Sequence, residues 1–322
     1  MNEKTNIYRS IFRITLAVGV VIAMTWFSLS QPTFKKNTPS PLRVEAKKLE
    51  NHVKALSIDF YPRNYGNIQN LNKAAKYIEG QFKLSGARVE IQEFEVEGKK
   101  YKNIIARYNI GQGRKMIVGA HYDSCEDTPG ADDNSSGVAG ILELASLLGR
   151  EKINREIELV AYTLEEPPFF GTEEMGSFVH ANSIQNKDKI EGVLVLEMIG
   201  YFSNNKNSQS YPMGLLKLMY PDRGNFIAVV GNLSQRAFTK KIKIRMKGAT
   251  DLPVYSISAP AGIPGIDFSD HRNYWPLGIN AVMITDTAFY RNSEYHGPKD
   301  TYDRLDYEKM AKVVAGVFEA IR

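Results

Sequence analysis

The sequence predicts an α/β fold: a three-layer sandwich with a central, mostly parallel mixed sheet and helices on both faces, preceded by an N-terminal hydrophobic segment. Short runs of β-branched and aromatic residues alternate with longer segments of helical periodicity. Several of the strand runs are almost continuously apolar, which is typical of parallel strands buried on both faces. After residue 57 no stretch rich in Pro, Gly or Ser is long enough to be a linker, so one catalytic domain is expected.

Composition narrows the function classes. The 322 residues are 43% hydrophobic and 24% charged, as in ordinary globular proteins, which argues against a disordered chain, a collagen or a polytopic membrane protein. The net charge of +5 is spread over a long chain, and we expect no nucleic-acid partner. The single cysteine, Cys125, excludes a disulfide framework within the chain and a multi-cysteine metal cluster. Metal chemistry would therefore use His, Asp and Glu.

The N-terminus carries an uncharged run, residues 14–29, that follows Lys4, Arg9 and Arg13. This layout predicts a signal peptide or signal anchor over residues 1–31. We expect the protein to be exported or membrane-anchored, with its catalytic domain outside the cytoplasm (periplasmic or extracellular) and in contact with the membrane only through this segment. Cleavage before residue 31 stays open. The opposite orientation, with the catalytic domain in the cytoplasm, also stays open, because five positive residues follow the run.

The elements follow in order behind a polar linker at residues 32–44, within a catalytic domain at 45–322. Helical periodicity ending near Gly86 predicts a first helix, and further helices are expected at 136–148, 172–182, 234–247 and 307–321. Strands are predicted at 89–96, 103–108, 115–120, 157–163, 193–198, 226–230 and 281–285.

Acidic residues and histidines follow several of these strands. In open α/β sheets, sites collect beyond the carboxyl ends of strands. The strand at 115–120 stops at His121, and Asp123 lies two residues further on. Residues two apart in an extended chain face the same way, so Asp123 is placed to accept a hydrogen bond from a metal-bound His121. In the following loop, Asp132 and Asp133 precede an apolar helix, and a carboxylate there has the position to bridge two cations.

Two further strands also end in acids. The run at 157–164 leads into Glu165 and Glu166, and Pro167 follows directly. Adjacent residues at such a break point in different directions, which leaves one carboxylate to bind metal and the other to take a proton. The strand at 193–196 ends at Glu197, and His296 lies in a loop before the last helix.

Other polar residues are interpreted as structural. Asp132, Glu173, Glu174 and Glu191 are expected to be solvated surface or helix-end charges. We expect Cys125 not to be a ligand, and the Ser269-Asp270-His271 triplet to have at most a supporting role. His52 and His180, like His271, have no acidic partner in a comparable arrangement and are expected to be structural. The aromatic residues Phe169, Phe170, Tyr201 and Phe202 fit pocket walls and core packing equally well.

Five motifs, GAHYDS, PGADDNSSGVAG, LEEPPFFGTEEMGS, a strand ending in an acid and YHGPKDTYDRLD, resemble in order and spacing the two-zinc aminopeptidases of peptidase family M28. The resemblance covers residues 45–322. It implies two Zn²⁺ ions, with Asp133 as the bridging carboxylate. It further implies that Glu166 and His296 complete one zinc site, that His121 and Glu197 complete the other, that Glu165 is the general base, and that Asp123 orients His121.

This resemblance implies hydrolysis of N-terminal amino acids from peptides that have a free N-terminus. Two departures stand out. Glu197 occupies a position where many members have Asp, and the PPFF run lengthens the loop after the glutamate pair, so specificity is not transferred from a relative. The alternatives are a glutaminyl-cyclase-like single-zinc transferase, a two-metal phosphoesterase and a non-catalytic ectodomain on the same fold. The presence of His121 argues against the cyclase, and the absence of a phosphate-cradling Gly-rich loop argues against the phosphoesterase.

Overall fold

A computed structural model of the chain describes residues 2–322, with side chains described from residue 6 onward. Its strands are β1 (Arg88–Val96), β2 (Lys99–Tyr108), β3 (Lys115–His121), β4 (Ile157–Tyr162), β5 (Ile190–Glu197), β6 (Ile227–Asn232), β7 (Val254–Ala259) and β8 (Ala281–Thr285). Its α-helices are α1 (Asn2–Ser30), α2 (Ala46–Lys54), α3 (Ile68–Leu84), α4 (Gly137–Leu148), α5 (Gly176–Ser183), α6 (Arg236–Met246) and α7 (Tyr307–Ile321).

The eight strands form one mixed sheet in the order β1-β2-β4-β3-β5-β8-β6-β7. Its centre, β4-β3-β5-β8, is parallel throughout, and β6 and β7 are also parallel. The pairs β1-β2, β2-β4 and β6-β8 are antiparallel. The predicted α/β sandwich with a mostly parallel mixed sheet is confirmed. Because the four central strands run the same way, their carboxyl ends meet at one edge of the sheet.

Helices cover both faces of the sheet. Successive residues of β3 alternate between the two layers: Met116 and Val118 pack in the larger core cluster with α2, α3, α4, α6 and α7, whereas Ile117 packs in a second cluster on the opposite face. That opposite face is covered by α5 and a 3₁₀ segment, Asp270–Leu277. Burial on both faces explains why the central strands are continuously apolar.

Three local predictions needed correction. Strand β7 was missed because serines interrupt its apolar pattern, which is tolerated at the edge of the sheet. Helix α2 was missed because most of its nine residues are charged or polar, although Leu49 and Val53 on one of its faces are fully buried. Helix α5 begins at Gly176, four residues later than expected, because the loop after the glutamate pair continues to Met175.

The N-terminal helix α1 projects from the domain. Its apolar part, Asn6–Ser30, is long and apolar enough to cross a membrane, and its side chains are exposed until the last few residues. The segment at 32–44, predicted as a linker, is hydrogen-bonded to the domain: the amide of Asn37 donates to the carbonyl of Lys247 (2.6 Å), and that of Ser40 to the carbonyl of Ala249 (2.8 Å).

Candidate metal centre

Four predicted site residues meet at the carboxyl edge of the sheet because of its strand order. His121 is the last residue of β3, and Glu197 is the last residue of the neighbouring parallel strand β5. Glu165 and Glu166 follow β4, which pairs with β3 on the other side. All four side chains are buried. The parallel register therefore brings together residues that are up to 76 positions apart in the sequence.

Asp133 lies between two histidines. It is carried by the irregular turn Ala131–Ser136, which follows Gly130 in a left-handed conformation (φ 56°). One carboxylate oxygen, Oδ1, lies 3.4 Å from Nε2 of His121, and the other, Oδ2, lies 3.2 Å from Nε2 of His296. Burial acts to raise the pKa of Asp133, but the two histidines outweigh it and hold that pKa below its usual value.

Two groups of possible ligands share Asp133. In the first, Nε2 of His121 lies 3.3 Å from Oε2 of Glu197. In the second, Nε2 of His296 lies 3.1 Å from Oε2 of Glu166. Zinc bonds of about 2.0–2.1 Å in a tetrahedron place neighbouring ligand atoms about 3.3 Å apart, so each histidine lies at the spacing of a zinc site from its two carboxylates.

Unpaired polar atoms support the same interpretation. Both ring nitrogens of His121, Oδ2 of Asp133 and Oε1 of Glu166 are buried and have no hydrogen-bond partner among the described residues. A buried polar atom without a partner costs about 1–3 kcal/mol. Zinc coordinated by Nε2 of His121 and by the carboxylates would remove most of that cost, and Nδ1 of His121 faces Asp123, so the side chains fit zinc.

The electrostatics of the carboxylates point the same way. Burial and the Asp133 carboxylate raise the pKa of Glu166 to about 7. Burial also raises the pKa of Glu197, and it raises that of Glu165 well above the usual value. Burial lowers the pKa of His121, but Glu197 and Glu165 outweigh it and raise that pKa well above normal. Such an excess of buried acid is stabilised by positive charge.

Glu165 faces the first group but lies further away than the other acids. Its Oε2 is 3.8 Å from Nε2 of His121. Asp123 connects the two: its Oδ1 lies 3.5 Å from Nδ1 of His121, and its carboxylate accepts the backbone amides of Glu165 (3.3 Å) and Glu166 (3.1 Å). Asp123 thus contacts both the imidazole of His121 and the backbone at Glu165 and Glu166, and it is placed to fix their relative positions.

Supporting residues include several that the sequence did not indicate. Asn134 donates to the carbonyl of Leu196 (2.8 Å) and accepts the amide of Met198 (3.1 Å), which ties the Asp133 turn to the end of β5. Asp300 accepts the amide of Asp133 (3.0 Å). The only sequence signal for either was its position within a recognised motif. The hydroxyl of Ser269 donates to Glu197 (2.7 Å), which is the contact through which that triplet would support the centre.

The structure corrects the interpretation of two acids as surface charges. Asp132 is fully buried: Oδ1 accepts the amide of Gly200 (3.0 Å) and Oδ2 accepts Nδ2 of Asn292 (3.2 Å). The turn directs it away from Asp133, toward the loop after β5. Glu191 is largely buried and pairs with Arg155 (3.0 Å) and Lys241. Glu173 and Glu174 are exposed, as expected.

Two histidines have acidic partners that were not expected. His52 lies 3.4 Å from Glu143, and His180 lies 3.2 Å from Glu158. Neither pair belongs to the candidate centre. Cys125 is buried next to Glu166 and His296, close enough for its sulfur to join their ligand atoms around one ion, although burial raises the pKa of its thiol.

A cavity of about 280 Å³ opens beside the acids and histidines. Its walls are mainly aromatic and aliphatic, and they include Phe170, Phe268, Phe289, Tyr220 and Leu216. Of the four aromatic residues considered for the pocket, only Phe170 lines it. Phe169 instead packs against Tyr65 (ring centroids 5.4 Å apart), and Tyr201 and Phe202 pack against the larger core cluster.

Comparison with known proteins agrees with this geometry. The sequence profile of Peptidase family M28 matches residues 103–321. The chain belongs to this family. The M28 chain is 49% identical over 295 residues to the uncharacterized protein YfbL of Escherichia coli K12, covering 89% of this chain and 91% of YfbL. It is 28% identical over 319 residues to a probable leucine aminopeptidase of Arthroderma otae, covering 91% and 79% of the two chains.

Solved structures show the same fold as the M28 chain. A zinc aminopeptidase from Bacillus subtilis superposes with a TM-score of 0.69 at 16% identity, covering 86% of this chain and 94% of the other. A glutaminyl cyclase from Bacteroides thetaiotaomicron superposes with a TM-score of 0.65 at 20% identity, covering 88% and 99%. Because both enzymes share the fold, the fold alone does not distinguish aminopeptidase activity from cyclase activity. The distinction depends on the side chains of the site.

Proposed function

We propose that this M28 chain is a zinc-dependent aminopeptidase that removes N-terminal amino acids from peptides at a two-zinc centre. The observation that carries the proposal is the placement of Asp133, whose two oxygens face two different histidines at 3.4 and 3.2 Å. His121 and Glu197 would hold one ion, and Glu166 and His296 the other. This spacing would place a carboxylate bridge between two metals.

The residues around the centre have complementary roles. When bound, a zinc pair lowers the pKa of a water molecule and stabilises negative charge on the scissile carbonyl oxygen. Glu165 would take the proton from the attacking water and return it to the departing amine nitrogen, since its buried carboxylate faces the ligands of the first group. Asp123 would fix the positions of the His121 imidazole and the Glu165 backbone relative to each other.

Restriction to the first residue of a peptide follows from the surroundings. The cavity beside the centre is apolar and would receive the side chain of the N-terminal residue, while the surplus carboxylates would bind its ammonium group. A peptide whose amine is acetylated would lose that ion pair. The expected substrates are therefore peptides with a free N-terminus.

A direct test uses the full chain in detergent or nanodiscs. Zinc per chain is counted, and release of free amino acid is measured from matched peptides with free and acetylated N-termini. The proposal expects about two zinc ions per chain and activity on the free amine alone. Equal rates on both peptides would refute the recognition of the ammonium group.

Glu165→Gln isolates the proton-transfer step, because glutamine has nearly the same shape but cannot act as a base. We expect kcat to fall by about 10²–10⁴-fold with bound zinc unchanged. The matched control is Glu173→Gln, an exposed glutamate in the same loop, which should leave kcat unchanged. If the Glu165 variant keeps wild-type turnover, the assignment of the base is wrong.

The cyclase-like alternative is tested with the same preparation. One zinc per chain, together with pyroglutamate formation from peptides that begin with Gln, would favour it. The position of His121 beside Glu197 and Asp133 favours a second ion instead. His121→Ala is expected to lose about one zinc ion per chain. Full occupancy in that variant would remove His121 from the ligand set.

We further propose that residues 1–31 export or anchor the protein, that 32–44 connect this segment to the domain, and that the catalytic domain at 45–322 lies outside the cytoplasm. The apolar, projecting helix α1 supports this arrangement. Digestion of the domain by a protease added to spheroplasts, which lack an intact outer membrane and cell wall, tests it, because only a cytoplasmic domain would be protected.

A further inference from the structure

The end of α1 is built into the catalytic domain. Nζ of Lys243 donates to the carbonyl oxygens of Ser30 (2.7 Å) and Gln31 (2.6 Å). The hydroxyl of Ser256, on β7, donates to the same Ser30 carbonyl (3.0 Å) and to Oε1 of Gln31 (2.9 Å). All four residues are buried, and Leu29 packs against a core cluster. The exit of the helix therefore has a fixed position on the domain.

These contacts oppose cleavage between Ser30 and Gln31. A cut there would place a new ammonium group at Gln31, next to the buried Lys243, and the Ser30 carbonyl that accepts from this lysine would be lost. The two positive charges would be neighbours partly removed from water, and they would repel each other. The structure is consistent with a retained helix that continues directly into the domain.

A second exposed apolar element lies beside this exit. A cleft next to the helix end is lined by Trp26 and Phe34 together with Met219 and Tyr220. The chain before Met219 exposes Leu218 by 83% and Leu215 by 63%, and Phe34 is 91% exposed. We call Phe34, Leu215 and Leu218 the anchor-proximal face. Single exposed apolar residues are common, but several large ones grouped beside an apolar cleft indicate a contact surface.

The chemistry around this face fits a lipid surface. Trp26 and Phe27 lie in the last turns of α1, at the level where aromatic residues accumulate in membrane interfaces. Lys35, Lys36 and Lys217 are exposed among the apolar residues. Lysines beside interfacial apolar groups attract anionic lipid headgroups.

We propose that the anchor-proximal face rests on the bilayer that α1 enters, with Phe34, Leu215 and Leu218 in the lipid interface and the neighbouring lysines at the headgroups. The face also adjoins the substrate cavity, because Leu216 is buried as part of the cavity wall, between Leu215 and the exposed Lys217. Contact with the bilayer would hold this wall in place and set the cavity close to the membrane surface.

The test uses the full chain in nanodiscs that hold one copy each. Leu218→Trp adds a fluorophore to the anchor-proximal face; Leu84→Trp, at a residue that is 81% exposed at the end of α3, is the matched control. Emission is compared between ordinary and brominated lipid, with the wild-type signal subtracted. We expect the tryptophan at 218 to be quenched at least about twofold and the one at 84 to be unaffected.

Each other outcome overturns the proposal. Equal quenching at both positions would mean that the domain has no fixed face on the membrane. In a disc that holds one copy, lipid is the only available quencher. No quenching at 218 would therefore show that the face does not touch lipid and would assign it to another partner, such as a second copy of the chain. An intact mass that begins at Gln31 would remove the anchor on which the proposal rests.

The lysines are tested separately from the apolar residues. Lys217→Gln should reduce quenching of the tryptophan at 218 in anionic discs and leave it unchanged in zwitterionic discs. Quenching independent of lipid charge would overturn the headgroup contact. Because fluorescence does not require catalysis, a failure of the proposed peptidase activity would leave these readings unaffected. An unchanged circular dichroism spectrum and Tm show that each variant is folded, without reference to activity.

Discussion

Arg63 connects the two segments that carry His121 and Asp133, and its replacement by lysine tests how the centre is held together. The guanidinium is fully buried and donates four hydrogen bonds to backbone carbonyls: Nε to Tyr122 (2.9 Å), Nη1 to Leu56 (3.2 Å) and Pro129 (2.6 Å), and Nη2 to Gly130 (2.6 Å). Burial lowers its pKa to about 10, so it stays charged at neutral pH.

The expected loss follows from the number of bonds. A lysine has three donors on a single nitrogen, whereas arginine has five spread over three nitrogens, so we expect about two of the four separated carbonyls to lose their donor. Each buried carbonyl left unpaired costs about 1–3 kcal/mol, which gives a loss of about 3 kcal/mol in the free energy of unfolding. At roughly 2 °C per kcal/mol for a chain of this size, Tm should fall by about 6 °C.

Metal affinity should fall as well. Tyr122 directly follows His121, and Gly130 lies three residues before Asp133. Weaker hydrogen bonds from residue 63 to these two carbonyls would therefore let the distance between His121 and Asp133 vary more. Loss of a positioning contact typically weakens metal affinity by about 10–100-fold. Thermal unfolding and zinc competition titration measure the two effects. Arg223→Lys is the control, since Arg223 is only partly buried and donates one bond, to the carbonyl of Asn204 (2.7 Å). A shift in Tm below about 2 °C with unchanged zinc affinity would refute the reasoning.

Three further predictions concern other parts of the fold. Asp133→Asn should bind about one zinc ion per chain or none, since an amide offers a single acceptor oxygen; two retained ions would contradict the bridge. Burial acts to raise the pKa of Glu158, but His180 holds it below its usual value, so its stabilisation is present above the unfolded carboxyl pKa of about 4.3 and is lost at lower pH. Glu158→Gln should therefore lower the free energy of unfolding by about 3 kcal/mol at pH 7 and by progressively less as the pH falls below about 4, and a pH-independent loss would be contrary to this account. Gly119→Ala should cost about 1–3 kcal/mol in chemical denaturation, because the added Cβ would lie 2.1 Å from the buried ring of Tyr162; unchanged stability would show that the ring can move.

Prediction of the fold from sequence succeeded where burial on both faces gave a strong pattern. Runs such as the one that forms β3 can be recognised alone, since every residue from Met116 to His121 is buried. The edge strand β7 and the short helix α2 were missed, because each buries only one face and a half-polar pattern over so few residues is ambiguous.

Within the site, the adjacent acids Asp132 and Asp133 show the limit of local reasoning. Both precede the same helix and have the same chemistry, yet one faces the two histidines and the other accepts the Gly200 amide on the opposite side. The turn that separates them is fixed by Gly130 and by the amide contacts to Asp300. These contacts span about 170 residues, so no pattern in the neighbouring sequence specifies them.

The sequence by itself determined the kinds of side chain available and their order: acids and imidazoles directly after apolar runs, and an uncharged segment at the N-terminus. Those features are local, because strand periodicity and chain breaks are set by neighbouring residues. Only the tertiary structure decided which oxygen of Asp133 faces which histidine, that Asp132 is buried away from them, and that α1 ends in a buried contact with Lys243. Those distances depend on strand order and packing, which arise from contacts between residues far apart in the chain.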